Sequence, residues 1–165
     1  MVRPAVILGA LLVASAAAAE DSVVLGHGVS NAFLWKLPCT EHTACLDANY
    51  VWVLDVDRTL AGPQITGRVR AIATQHADAT AEFVKSVELF VLSPIQDSAL
   101  QESSGAKYYL VSVSPRDSQG RYCLSVRPSD AGLKLDASVV ATDPRSGYFC
   151  FSAAALASNN RWRGP

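Results

Sequence analysis

Hydrophobic and polar positions alternate most clearly over residues 50–60, YVWVLDVDRTL. At a period of two, Tyr50, Trp52, Leu54 and Val56 share one face, and Val51, Val53, Asp55 and Asp57 share the other. The first face is wholly apolar and is predicted to enter a core. The second starts apolar and ends acidic, as a strand does when it leaves cover for solvent. Residues 61–67, AGPQITG, punctuate a turn. Residues 68–74, RVRAIAT, then read as the returning strand, with Arg68 and Arg70 placed to pair with Asp55 and Asp57.

Elsewhere the pattern is shorter. Residues 20–38 give an edge strand around Val23, Val24 and Leu25, followed by a packed lead-in. Residues 78–85, DATAEFVK, predict a helix with Asp78 or Thr80 as N-cap. VELFVL at 87–92, KYYLVSVS at 107–114 and YCLSV at 122–126 predict strands. Residues 97–105 form a polar loop or a single helical turn. Residues 133–142 and 148–152 add weaker strands, and 153–157 starts a terminal helix. Short strands at regular spacing with little helix predict a mainly β protein, a small antiparallel β barrel or sandwich with one or two short helices.

The segment before this pattern reads as an address. In MVRPAVILGALLVASAAAA, Arg3 gives a charged start and residues 5–13 an apolar stretch. Ala17-Ala18-Ala19 then offers a small-residue cleavage site, so residues 1–19 are expected to be a cleaved signal peptide. One domain is expected over 20–158, with a polar tail over 159–165. No second long apolar segment follows, so no membrane span is expected in the mature chain, and the protein is placed in the periplasm or outside the cell. The formal net charge is −1, and loss of Arg3 takes it to −2. Such a balance excludes the basic face that a nucleic-acid partner requires.

Export also decides how the four cysteines are read. An even count in an oxidising compartment favours disulfides, which would support the fold. Three connectivities exist for Cys39, Cys45, Cys123 and Cys150. Pairing of near neighbours, Cys39–Cys45 and Cys123–Cys150, is the expectation adopted, the longer loop contributing about 3 kcal/mol. Cys39, His42 and Cys45 would suit a metal only if the thiols stayed reduced, so no metal is expected and no cofactor is implied.

Catalytic signals are thin. His76 would need a nucleophile and an orienting acid close in space. Asp55 and Asp57 place two carboxylates on one strand face, as a glycosidase or a calcium site needs, but Arg58, Arg68 and Arg70 offer salt bridges instead. Tyr108 and Tyr109 are adjacent on one strand and face opposite ways, so one is expected in the core and one exposed for recognition of a protein or sugar. The residues taken as ligand-facing are Asp55, Asp57, His76 and Tyr108. Tyr148, Phe149, Trp35 and Trp162 complete the aromatic set, and Arg161-Trp162-Arg163 forms a docking-type tail.

VLDVDRTLAGP at 53–63 followed by Gly67-Arg68-Val69, and later GAKYYLV at 105–111 with Cys123 beyond, resemble the netrin-like and TIMP-like OB modules of exported proteins. The resemblance implies an OB-like barrel. The terminal Cys-x-Cys with which TIMPs chelate a protease metal is absent, so neither protease inhibition nor any functional residue carries over. The sequence thus leads to an exported binding module whose partner is a protein or a glycan. The alternative is a small periplasmic or secreted hydrolase using His76 or the Asp55/Asp57 pair.

Overall fold

Strand β2 (Ala48–Ala61) keeps the alternation its sequence predicts: Tyr50, Trp52, Leu54 and Val56 are buried, while Asp57 is exposed. A computed structural model describes residues 20–36, 48–75 and 79–159. Residues 1–19, Cys39, His42, Cys45, His76, Asp78 and Trp162, on which several expectations from the sequence rest, lie outside the described residues. After β2 the chain turns at 62–66, where Thr59 Oγ1 donates to the Ile65 carbonyl at 2.9 Å and accepts from the Ile65 amide at 2.8 Å. Strand β3 (Gly67–Gln75) returns antiparallel with Asp55 opposite Arg68, the register that charge pairing anticipates.

Strands β1 (Ser22–Lys36), β2, β3, β5 (Tyr108–Pro115) and β4 (Val87–Pro94) pair in that order, and Ser22 to Leu25 of β1 pair back onto β4. The sheet therefore rings a core of Val24, Tyr50, Trp52, Leu54, Phe90 and Leu92, among others. Helix α1 (Ala81–Ser86) is capped by Thr80, whose Oγ1 accepts from the Phe83 amide, and it delivers Val84 to this core. Gly28 makes that seating feasible: a Cβ there would stand 2.1 Å from the Val84 carbonyl oxygen. Helix α2 (Ser98–Ser104) starts at Asp97 and stops at Gly105, whose φ of 64° a side chain would disfavour. It covers a satellite cluster of Ile72, Ile95 and Ala106.

The rest of the chain forms a second layer. Strands β6 (Arg121–Leu124), β7 (Ala141–Thr142) and β8 (Phe149–Ser152) make a three-stranded sheet in the order β6-β8-β7, followed by α3 (Ala153–Asn159). Tyr122, Leu124, Leu133, Phe151 and Leu156 pack on Val23, Leu89 and Val91. Strands β1 and β4 are thus covered on both faces where they meet, which explains why VELFVL reads as a nearly unbroken apolar run. Cys123 lies opposite Cys150 and the two are joined by a disulfide, as expected from sequence. Ser112 and Ser114 of β5 tie the layers together. Ser114 Oγ accepts from the Cys123 amide at 2.7 Å and Ser112 Oγ from the Ser125 amide at 3.0 Å.

Four expectations need correction. Three α-helices are present among the described residues and not one or two, because the polar stretch 97–105 closes a full capped helix in addition to α1 and α3. The sheet is not wholly antiparallel, since β3 and β5 run parallel. Strand β1 is no edge strand: it spans 15 residues and pairs with neighbours on both sides. Residues 133–142 hold only a 3₁₀ turn (Ala137–Val139) and the two residues of β7, because their apolar side chains cap the outer core in an irregular path.

Candidate functional site: the open seam between β3 and β5

Strands β3 and β5 pair at only two positions, Ala71 with Tyr108 and Ile72 with Tyr109. The closed end is extended by the Lys107 amide, which donates to the Arg70 carbonyl at 3.2 Å. Beyond it, residues 73–75 and 110–113 have no ladder partner across the seam among the described residues. The β4 pairing of β5 skips Val111, a bulge between Leu110 opposite Leu92 and Ser112 opposite Val91. A bulge bends a strand and re-aims its side chains, and this one lies where β5 parts from β3.

The parting leaves a cleft of about 220 Å³. Ala73, Thr74 and Gln75 line it from β3, Leu110 to Val113 from β5, and Trp52 from β2. Phe83 of α1 and Ser125 and Tyr148 of the second layer complete the lining. Not one of these side chains is charged. Phe83, Val111 and Tyr148 are 41 %, 39 % and 42 % exposed, so three of the six large exposed hydrophobic side chains among the described residues gather at one cleft.

Two donors in the lining lack acceptors. Trp52 is 2 % exposed and its ring meets Phe83 edge-on at 6.4 Å, yet its Nε1–H has no hydrogen-bond partner. Gln75 Nε2 is likewise buried and unpartnered. An unsatisfied buried donor costs about 1–3 kcal/mol, and buried indole N–H groups ordinarily find a partner. Nearby polar groups do find theirs: Thr74 Oγ1 donates to Asn49 Oδ1 at 2.7 Å. Both donors belong to side chains that line the cleft, and each would gain from a neutral acceptor brought against it.

The residues singled out from sequence lie elsewhere. Asp55 is held by Arg68 through two 2.7 Å bonds, Nε to Oδ1 and Nη2 to Oδ2, with His27 Nε2 3.7 Å away. The hydrogen bonds from Arg68 hold the Asp55 carboxyl below its ordinary value of 3.8. It is a surface ion pair and stays ionised. Asp57 is exposed and does not join that pair; it lines a separate surface hollow with Arg58, Glu88, Arg116 and Tyr122. There the Tyr122 hydroxyl donates to Glu88 at 2.7 Å and accepts from Arg116 at 3.0 Å. Burial, foremost, pushes the Tyr122 hydroxyl above its ordinary value of 10.0. The network is internally satisfied.

Tyr108 packs against the ring's core, and Tyr109 is the exposed member of the pair at 42 %. Tyr108, chosen from sequence as ligand-facing, is thus the half-buried member of the pair and Tyr109 the exposed one. A larger hollow of about 310 Å³ lies in the second layer among Leu133, Leu135, Val140 and Phe149, with Arg127 over the Phe149 ring at 5.5 Å. It contains no unpartnered buried side-chain donor. Among the described residues no group of three or more His, Cys, Asp and Glu side chains could hold a metal ion. No described helix is long and apolar enough to cross a membrane.

Sequence reasoning placed Trp52 in the core and stopped there. The signal it missed is that a Trp on an all-apolar strand face carries a donor that the face cannot satisfy. Comparison of the chain with protein-family models, with curated proteins and with solved structures found no match.

Proposed function

We propose that this chain is an exported, non-enzymatic binding module built on an OB-like barrel, with the β3–β5 seam as its ligand site. The observation that carries the reading is the pair of unpartnered donors, Trp52 Nε1 and Gln75 Nε2, in an uncharged cleft rimmed by exposed apolar side chains. A ligand acceptor that meets either donor removes a desolvation cost the free protein carries, so binding gains from a defect already present. At about 220 Å³ the cleft falls below the usual range for an enclosed small-molecule site. It suits part of a larger partner that remains mostly outside.

The OB-like reading is supported by the strand order β1-β2-β3-β5-β4 with β4 returning to β1, a five-stranded ring with one parallel pair. Export is supported by the character of residues 1–19 and by the Cys123–Cys150 disulfide. A hydrolase built on Asp55 and Asp57 gains nothing from the geometry, because Asp55 is committed to Arg68. A general acid needs a raised carboxyl value, and that of Asp55 is lowered.

The test uses the three tryptophan side-chain N–H signals of the ¹⁵N-labelled protein, assigned with Trp35→Phe and Trp162→Phe. Neutral oligosaccharides and blocked peptides are titrated in turn. The expected result is a saturable shift of the Trp52 signal with at least one class, with the Trp35 signal unmoved. Saturable binding of a ligand that leaves Trp52 unmoved would overturn the assignment of the site.

A further inference from the structure

We infer that the occupant of the seam is an extended polypeptide segment that adds as a short strand to the open edge of β5. The inference rests on the seam being the binding site and specifies what fills it. Leu110, Ser112 and Val113 of β5 are laddered to β4 on one side, and residues 110–113 have no ladder partner on the other among the described residues. Residues 73–75 of β3 face the same gap with the same lack. An unpaired strand edge presents a row of main-chain donors and acceptors that another strand matches group for group.

Three further observations favour a peptide over a sugar. First, the seam is paired at one end only, 71–72 with 108–109, and both strands run on from there without a ladder partner across it among the described residues. Its unpaired stretch of three to four residues is a length that strand addition can use. Second, Trp52, the ring a sugar would stack on, is 2 % exposed, so its face is covered and only its N–H lacks a partner. Third, an incoming strand alternates its side chains, and the apolar exposed groups Phe83, Val111 and Tyr148 form a pocket for one of them.

In this arrangement carbonyl oxygens of the segment accept from Trp52 Nε1 and Gln75 Nε2, its main chain bonds to the β5 edge, and one apolar side chain sits among the three exposed residues. The lining carries no charge, so the segment is uncharged at its centre. Such a segment belongs to an extended stretch of another exported protein, or to its chain end.

A displayed library of random heptapeptides panned on the purified, exported protein tests this. The expected result is enrichment of peptides with an uncharged centre and apolar residues at alternate positions. Their binding should weaken at least tenfold on N-methylation of one alternate set of peptide N–H groups, and at least tenfold with Phe83→Ala or Tyr148→Ala. Both residues are exposed, so those variants should fold. No enrichment, or binding indifferent to N-methylation at every position, would overturn strand addition. If neutral oligosaccharides shift the Trp52 signal and no peptide does, the peptide inference falls while the seam stands as the site. If neither class shifts Trp52, both fall.

Discussion

Gln75 and Trp52 end in N–H groups that the folded chain leaves without partners, while the carboxylate of Asp55 is doubly satisfied. The contrast separates residues that finish the fold from residues left over for something else. Gln75→Leu keeps the shape and removes the unpaired amide, so stability without ligand should be unchanged or rise by up to about 1 kcal/mol, while ligand binding falls. Urea unfolding and titration of a selected peptide check both halves; a loss of more than about 1 kcal/mol would mean the amide is bonded. Arg68→Ala should bring the Asp55 carboxyl back up toward 3.8, read by NMR titration. The carboxyls of Asp55, Asp117, Asp136 and Asp143 all lie below their ordinary value in the fold, the last three mainly through bonds from backbone N–H groups. A group with a lowered folded value stabilises above its unfolded value and loses that contribution as pH falls through the folded one. Acid unfolding monitored by circular dichroism should therefore set in below about pH 3.8. At this scale the Asp55–Arg68 pair was legible because hairpin register follows from the turn. The orphan donors were not, because a missing partner is a property of three-dimensional neighbours.

Among the elements, β2, β3, α1 and β4 were readable from alternation, the Gly-Pro turn and the Thr80 cap. Local pattern dictated them and tertiary packing agreed. Strand β1 was not, since its 15-residue course along β2 runs through Gly26, Gly28 and polar positions with four register breaks, and only Ser22 to Leu25 also pair with β4. Its glycines serve close approach and not flexibility. Gly28→Ala would drive a Cβ into the Val84 carbonyl, 2.1 Å away, and force α1 off the ring. Overpacking of this kind costs about 1–3 kcal/mol, to be measured by urea unfolding. Because α1 carries Phe83, the same variant should also weaken peptide binding. Unchanged stability would show that α1 does not rest on β1 there. The seam itself had no sequence signature: the point at which two long strands part is set by the Val111 bulge and the closed end at Lys107 and Arg70.

For the molecule as a whole, the ring and the outer layer share β1 and β4 and are tied by Ser112 and Ser114. The disulfide links two neighbouring strands of the outer sheet, Cys123 on β6 to Cys150 on β8. Cys123→Ser with Cys150→Ser should lower stability by about 3 kcal/mol. Amide exchange should quicken first in β6 and β8 and last in β2 and β3; uniform quickening would mean the layers unfold as one. The mainly β class was legible from strand spacing, whereas the ring's closure depends on long-range pairing of β1 with β4 and β3 with β5. The central claim is that the β3–β5 seam receives an extended chain, and amide hydrogen exchange with and without a library-selected peptide tests it most directly. The account predicts that saturating peptide slows exchange within residues 110–113 at least tenfold and shifts the Trp52 signal. Bound peptide that leaves exchange over 110–113 unchanged would contradict it.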